Sequence, residues 1–327
     1  MDSHVVISDS KSTTVDHDLQ GEVLAEYGAS VASVVTRTEE ALLEELGDGD
    51  VDGLIVDAGV PVTERVLETP SLRVVGRAGI GVDNVDLEAA ADNDVTVVHH
   101  PTYSLDEVAT HALSLLLSGL RRVPQYDRST RAGDWDWTEG APIPRLQGST
   151  LGFVGFGKIP RRLATMVQGF GCELVAVDPF VPDDEIRSQN VDPVEFEELL
   201  STVDFLSVHV PLTEETTGLI DEDALRAMDE DVVLVNTARG SVIETDALVA
   251  ALEAEELGFA ALDVTDPEPL PSDHPLLELE NALVTPHTAW YSEASRRQLS
   301  RGIAADVGRV LVGDEPHNEV TVESPWV

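Results

Sequence analysis

The chain has 327 residues, 42% of them hydrophobic, enough for two domains with ordinary cores. It carries 62 acidic against 20 basic residues, a formal net charge of −42, with lysine only at Lys11 and Lys158. Such a surface repels nucleic acid and anionic membranes, and because the charge is spread along the whole chain it fits a halophilic protein, screened by a salt-loaded cytoplasm, better than a disordered tail.

The single cysteine, Cys172, permits no internal disulfide and reads as a small buried core residue; no metal-binding cluster of the zinc type is present. The N-terminus, MDSHVVISDSK, has no basic region followed by a long apolar segment, and no apolar run approaches the ~18 residues of a membrane span. A cytoplasmic, soluble protein is expected.

In chain order, strands are expected at residues 4–9, 30–35, 53–56, 73–75 and 95–98, with helices at 19–27, 39–46, 63–68 and 87–91, the last capped by Asp86. Strands alternating with helices imply a parallel sheet covered on both faces, a first α/β domain of about 100 residues. The fourth strand runs into RAGIGVDNVD, residues 77–86. Ligands in open parallel sheets bind beyond the carboxyl ends of strands, and Gly79 and Gly81 around Ile80 suit a loop that turns backbone N–H groups toward an anion. A plain turn fits the spacing equally well.

Ser104 and Glu107 form a capping-box pattern at the start of a helix reaching to about Leu120. Val108, Ala109, Ala112, Leu113, Leu115, Leu116 and Leu117 cover most of its circumference, so it should be buried on several sides, crossing between domains or packing on a second subunit. His111 on this helix reads as a packed or surface histidine. Residues 121–148 are polar and contain Trp135 and Trp137; they read as a loop or arm that docks on a partner, which points to a homodimer.

The stretch from Leu151 to Phe180 organises the rest: a short apolar strand, the turn Gly155-Phe156-Gly157, helical spacing at Leu163, Met166 and Val167, and a second strand closed by Asp178. A glycine turn between strand and helix, with an acid about twenty positions on, is the dinucleotide-binding pattern. Gly155 permits the turn, Gly157 admits a pyrophosphate to the backbone, and N–H groups at the helix start face its charge. Asp178 would accept both ribose hydroxyls and repel a 2′-phosphate, which favours NAD over NADP. The third fingerprint position is Pro160, neither Gly nor Ala; proline in a first helical turn lacks an N–H that had no partner there anyway.

Helices are then expected at 193–200, 222–228 and 244–255, strands at 203–208, 231–236, 258–262 and 282–284, and a final helix at 292–312, long enough to return to the first domain. The domains expected are thus 1–102 with 292–327, and 103–291, the chemistry lying in the cleft between them. Polar residues follow each strand of the second domain, where a doubly wound sheet holds its site. Three strand ends carry Arg239, Glu268 and His287. Arginine offers a fixed fork of donors for a carboxylate and an adjacent carbonyl oxygen. Histidine passes a proton both ways near neutrality, and an acid beside it holds the tautomer. With a nicotinamide, this set suits hydride transfer at a carbon bearing a hydroxyl next to a carboxylate.

RAGIGVDNVD, GFGKIP with VAVDPF, HVPLTEETTGLI, NTARGSVI, DVTDPEPLP and TPHTAW, in this order, resemble the signatures of the D-isomer-specific 2-hydroxyacid dehydrogenases over Gly53 to Val312. The resemblance implies an α/β protein of two doubly wound parallel-sheet domains, one Rossmann-like for NAD and one flavodoxin-like for substrate. It implies that Arg239 binds the carboxylate and carbonyl of a 2-oxoacid, that His287 is the acid/base and Glu268 its partner, and that the backbone at Gly79 and Ile80 holds the substrate carboxylate. It places Val108, Gly155, Gly157, Lys158, Ile159, Asp178, His209, Val210, Pro211, Thr216, Thr237, Ala238 and Asp263 along NAD. Two branches compete. TPHTAWYSE resembles the C-terminal-binding-protein branch, where Trp290 would reach the substrate and favour an apolar or thioether side chain. RAGIGVDNVD resembles phosphoglycerate dehydrogenases, in which Arg77 would meet a phosphate. Asp57 and Ala58 stand where those enzymes commonly have arginine and serine, and an aspartate would repel phosphate. The chain also ends at Val327, leaving no room for the regulatory domain many of them append. An NAD-gated interaction protein like the corepressors of the first branch is the alternative from another class.

Overall fold

The computed structural model describes residues 3–47, 50–140 and 142–324; residues 1–2 and 325–327, expected to belong to the first domain, lie outside that range. Two bodies emerge, one running through Ser104 and resuming at Tyr291, the other from Leu105 to Trp290.

The first body contains β1 (Ser3–Ser8), α1 (His17–Glu26), β2 (Ala29–Val34), α2 (Glu39–Leu46), β3 (Gly53–Val56), α3 (Glu64–Leu67), β4 (Val74–Arg77), α4 (Leu87–Asp92) and β5 (Thr96–Val98). Its strands pair in parallel in the order β2-β1-β3-β4-β5, the flavodoxin-like arrangement. β3 is buried at every position, as a strand covered on both faces requires. Asp86 caps α4 by accepting the Ala89 N–H at 3.0 Å, as its place ahead of the helix predicts.

The second body contains α5 (Leu105–Leu120), α6 (Val123–Ala132), β6 (Thr150–Val154), α7 (Lys158–Val167), β7 (Glu173–Val177), α8 (Asp183–Ser188), β8 (Asp192–Pro193), α9 (Phe196–Thr202), β9 (Phe205–Val208), α10 (Glu222–Ala227), β10 (Val233–Asn236), α11 (Thr245–Glu253), β11 (Phe259–Leu262) and β12 (Ala282–Val284). Its seven strands run β12-β11-β10-β9-β6-β7-β8, all parallel, with the order reversing at β6/β9. That reversal opens a crevice beyond the carboxyl ends, beside the glycine turn. One apolar cluster includes Leu199, Leu206, Leu234 and Leu252; another includes Leu116, Phe153, Phe205 and Phe259. The last helix, α12 (Glu293–Val312), packs on α1, β3, β4 and β5 of the first body.

Several local expectations are corrected. Ser104 does not form the predicted capping box: its hydroxyl is buried and meets no hydrogen-bond partner. Residues 101–104 already coil into the helix as turn, whereas a cap needs extended backbone. The predicted loop at 121–148 contains α6, whose residues are all at least partly exposed, so no apolar stripe betrays it. The helix predicted from Pro193 begins at Phe196, because Asp192 and Pro193 pair with β7 as an edge strand. α8 was not foreseen; it is short and buries only Ile186. Cys172 is half-buried against the second cluster, and burial raises its thiol pKa.

Candidate active site

The nucleotide turn is built as its sequence demands. Gly155 has φ +85, and a Cβ there would lie 3.0 Å from the His209 carbonyl carbon and oxygen, so any side chain would strain the backbone and crowd the end of β9. A Cβ on Gly157 would meet nothing within 4 Å, which leaves the helix start approachable. Gly157 is the N-cap of the ten-residue helix α7. The N–H groups of Lys158 and Ile159 open that helix, and Pro160, buried in its third position, supplies none. Asp178 ends β7, with Oδ2 accepting the Phe156 N–H at 2.7 Å and Oδ1 the Phe180 N–H at 2.9 Å. These bonds aim the carboxylate at the turn, and each oxygen keeps a lone pair.

Beyond β9, the half-buried His209 imidazole lies near Phe153 and is hydrogen-bonded to Ser207 Oγ at 2.8 Å; desolvation pushes its pKa down to about 3, so it is neutral. Val210, Pro211 and Thr216 follow, with Thr216 Oγ1 donating to the Pro211 carbonyl at 2.6 Å. Beyond β10, Asn236 is fully buried and binds the chain in both directions, donating to the Arg239 carbonyl at 2.8 Å and accepting the Ala238 N–H at 2.9 Å. Thr237 Oγ1 is buried and unpartnered, a polar atom left for a ligand. A glycine cradle, an open helix start, an acid at the end of β7 and an orphaned hydroxyl together fit a dinucleotide. Val108 lies buried on α5.

The loops after β10, β11 and β12 are neighbours because the strands are. The first holds Arg239, whose Nη1 donates to the Ala238 carbonyl at 2.7 Å. A Cβ on Gly240 would lie 2.1 Å from the Thr265 carbonyl carbon, so the first two loops touch through backbone at that point. Glu268 lies on the second and His287 on the third, with His287 Nδ1 2.8 Å from Glu268 Oε1. An ionised carboxylate only accepts, so Nδ1 carries the hydrogen and Nε2 is the ring atom left to exchange a proton. His287 has φ +52, a left-handed backbone held by its N–H donating to the Asp263 and Thr285 carbonyls. Trp290 donates its indole N–H to the His287 carbonyl at 3.1 Å and is half-buried.

Asp263 has a larger part than its sequence place suggested. It is 1% exposed and turned inward. It accepts from Thr285 Oγ1 at 2.6 Å, Thr288 N–H at 2.9 Å and Ala289 N–H at 2.8 Å, with His111 Nε2 3.4 Å away. Burial alone would raise its pKa, but His111 and these donors outweigh it and hold the carboxyl below the usual range. Sequence reasoning missed this anchor, because its partners Thr285, Thr288 and Ala289 lie 22, 25 and 26 positions away at the next strand end.

In the first body, Arg77 is 5% exposed, its Nε bonded to Asn84 Oδ1 at 3.2 Å and its guanidinium packed against Gly79. The Arg77 side chain is thus turned inward: Asn84 accepts its Nε–H, Nη1 donates to the Ala78 carbonyl, and the Asn84 amide ties the loop to the carbonyls of Asp57 and Val60. Asp57 is buried too, accepting from Ser10, Thr14 and Gly59. Gly79 is buried while Ile80 and Gly81 are half-buried.

Residues 113–289 match the family model described as D-isomer specific 2-hydroxyacid dehydrogenase, NAD binding domain. A D-3-phosphoglycerate dehydrogenase of Methanocaldococcus jannaschii is 36% identical over 308 residues, covering 94% of this chain and 58% of that protein. The D-3-phosphoglycerate dehydrogenase 2 of Arabidopsis thaliana is 40% identical over 80% of this chain and 42% of its own length. The chain spans about half the length of these curated relatives. Among solved structures, the TT0316 protein of Thermus thermophilus is 33% identical with a TM-score of 0.85, covering 97% of this chain and 100% of that one. A D-lactate dehydrogenase of Aquifex aeolicus, complexed with NAD and lactic acid, is 26% identical with a TM-score of 0.87, covering 98% of this chain and 100% of that one.

Proposed function

The chain belongs to the D-isomer specific 2-hydroxyacid dehydrogenases, and on that premise we propose that it interconverts a 2-oxoacid and a D-2-hydroxyacid with NAD as its cofactor. The observation that carries the proposal is the His287–Glu268 pair, oriented at a strand end next to the loop of Arg239. NADH, when bound, supplies the hydride. His287 Nε2 gives the proton to the oxygen that becomes the hydroxyl, and Glu268 stabilises the imidazole that holds it. Arg239 binds the carboxylate and offsets charge developing on that oxygen. The backbone loop at Gly79 and Ile80 takes the carboxylate, Trp290 bounds the side chain, and Lys158, Ile159, Asp178, Thr237 and Ala238 line the cofactor.

A panel of 2-oxoacids mixed with NADH, followed by NADH absorbance, tests this. Oxidation of NADH by at least one member is the expected result. No turnover on any, together with NADH-dependent association, would point instead to an NADH-gated interaction protein. 3-Phosphohydroxypyruvate belongs in the panel because the curated relatives are named for phosphoglycerate; the inward Arg77 and the buried Asp57 favour a substrate without phosphate.

Among the described residues no helix is long and apolar enough to cross a membrane. A cytoplasmic, salt-adapted homodimer belongs to the same proposal. Trp135 and Trp137 are 92% and 77% exposed, and a groove of about 470 Å³ is lined by Leu117, Leu120, Ile143, Pro144 and the arginines 121 and 145. The acidic, aromatic segment of a second copy suits such a groove. A potassium chloride series tests both ideas: the melting temperature should climb with salt as the −42 charge is screened, while sedimentation reports a dimer. A flat melting temperature would refute salt adaptation, and a monomer at every salt would refute the dimer.

A further inference from the structure

The loop after β4 is held by a device that none of its own residues reveals. The His100 N–H donates to the Gly79 carbonyl at 3.0 Å, and His99 Nδ1 lies 2.7 Å from the Ile80 carbonyl. A carbonyl only accepts, so His99 Nδ1 is the donor. Two consecutive peptide groups therefore have their oxygens pinned toward residues 99–100. A trans peptide is planar, with its N–H directed opposite to its C=O. The N–H groups of Ile80 and Gly81 consequently point the other way, and among the described residues neither meets an acceptor. Two adjacent N–H groups on one side of a half-buried loop form a concavity suited to the two oxygens of a carboxylate.

The support behind His99 is itself fixed. Its N–H donates to the Asn318 carbonyl at 3.1 Å, and the Asn318 side chain donates to Asp306 Oδ2 at 2.8 Å. Asp306, 2% exposed on α12, also accepts the His317 N–H at 2.9 Å. The C-terminal segment closes on the edge of β5 through Val320 N–H to the Val97 carbonyl and a bridge between Val98 and Glu319. The imidazole thus sits on a strand end braced on both sides, which is what a side chain needs to fix a glycine-rich loop.

We propose that His99 is a positioning residue for substrate: its Nδ1–H holds the Ile80 carbonyl and so aims the Ile80 and Gly81 N–H groups at the carboxylate of the 2-oxoacid. This rests on taking residues 79–81 as the carboxylate loop.

The test compares the full chain with His99→Leu and His99→Asn. Asparagine places its Nδ2 the same number of bonds from Cβ as the histidine Nδ1, so it restores the donor. With Leu, KM for the 2-oxoacid should rise about tenfold while KM for NADH stays within about twofold, and Asn should recover most of the loss. An unchanged oxoacid KM in the Leu variant, an equal rise in both KM values, or an Asn variant no better than Leu would overturn the proposal. A binding measurement separates this from the enzymatic assignment. Oxalate, as a carboxylate probe, should shift the amide resonances of Ile80 and Gly81 in the unaltered protein and not in the Leu variant, even if no 2-oxoacid is turned over. Absence of those shifts in the unaltered protein would also overturn it.

Discussion

Replacing His287 by alanine should lower kcat at least about 10²-fold while leaving NADH affinity close to that of the parent. The substitution removes the ring nitrogen to which we assign the proton exchange, yet leaves the glycine turn, Asp178 and Thr237 untouched. The geometry makes the loss specific. Nδ1 is committed to Glu268 at 2.8 Å, the backbone is held at φ +52 by the Asp263 and Thr285 carbonyls, and the Trp290 indole braces the His287 carbonyl. Each of these fixes where Nε2 points. Pre-steady-state kinetics with NADH and the best substrate of the panel would read the effect. Turnover near the parent rate would remove His287 from the acid/base role, and a parallel loss of NADH binding would mark it as structural.

Asp263→Ala should be the most destabilising single change near the site. It deletes a carboxylate that is 1% exposed and leaves the N–H groups of Thr288 and Ala289, with the Thr285 hydroxyl and His111, facing an apolar methyl. Unsatisfied buried donors of this kind cost about 2–5 kcal/mol in total. Denaturant unfolding of the variant should show that loss, and kcat should fall as well, because the same donors shape the loop that carries His287. A midpoint equal to that of the parent would refute the anchor. The pH dependence follows from the direction of the shift. The folded carboxyl is held below its unfolded value, near 3.9. Its contribution is therefore fully present above about pH 4 and is lost as pH falls through the folded value. The alanine variant should lack that part of the acid sensitivity.

Much of the site could be read before any coordinates. Gly155, Gly157 and Asp178 belong to one strand–turn–helix–strand unit, so the requirement for a positive φ and an open helix start is local and is written locally. Arg239, Glu268 and His287 are far apart in sequence, but each follows an apolar run, and parallel strands put their ends at one edge of the sheet. What stayed hidden depends on partners chosen by the sheet. His111 reaches Thr285 across 174 positions, and Asp263 meets Thr288 and Ala289 across 25 and 26. Nothing in either segment announces the other. Arg77 is a like case: its motif resembles one whose arginine would meet a phosphate, and the sequence does not show that Asn84, seven positions on, accepts its Nε–H. α6 escaped notice because a helix with no fully buried residue has no apolar period to display.

The sequence by itself determined the alternation of strands and helices, the position of the dinucleotide turn and an acidic surface, because these follow from local periodicity, turn chemistry and composition. Tertiary structure alone decided which strands are neighbours, that β6 and β9 flank the point of reversal, that Asp263 turns inward to hold the His287 loop, and that His99 holds the carbonyl of Ile80. A hydrogen bond between distant segments costs chain entropy to form and persists only where packing has already fixed both ends. Such bonds are therefore properties of the assembled sheets, and no stretch of the chain carries them alone.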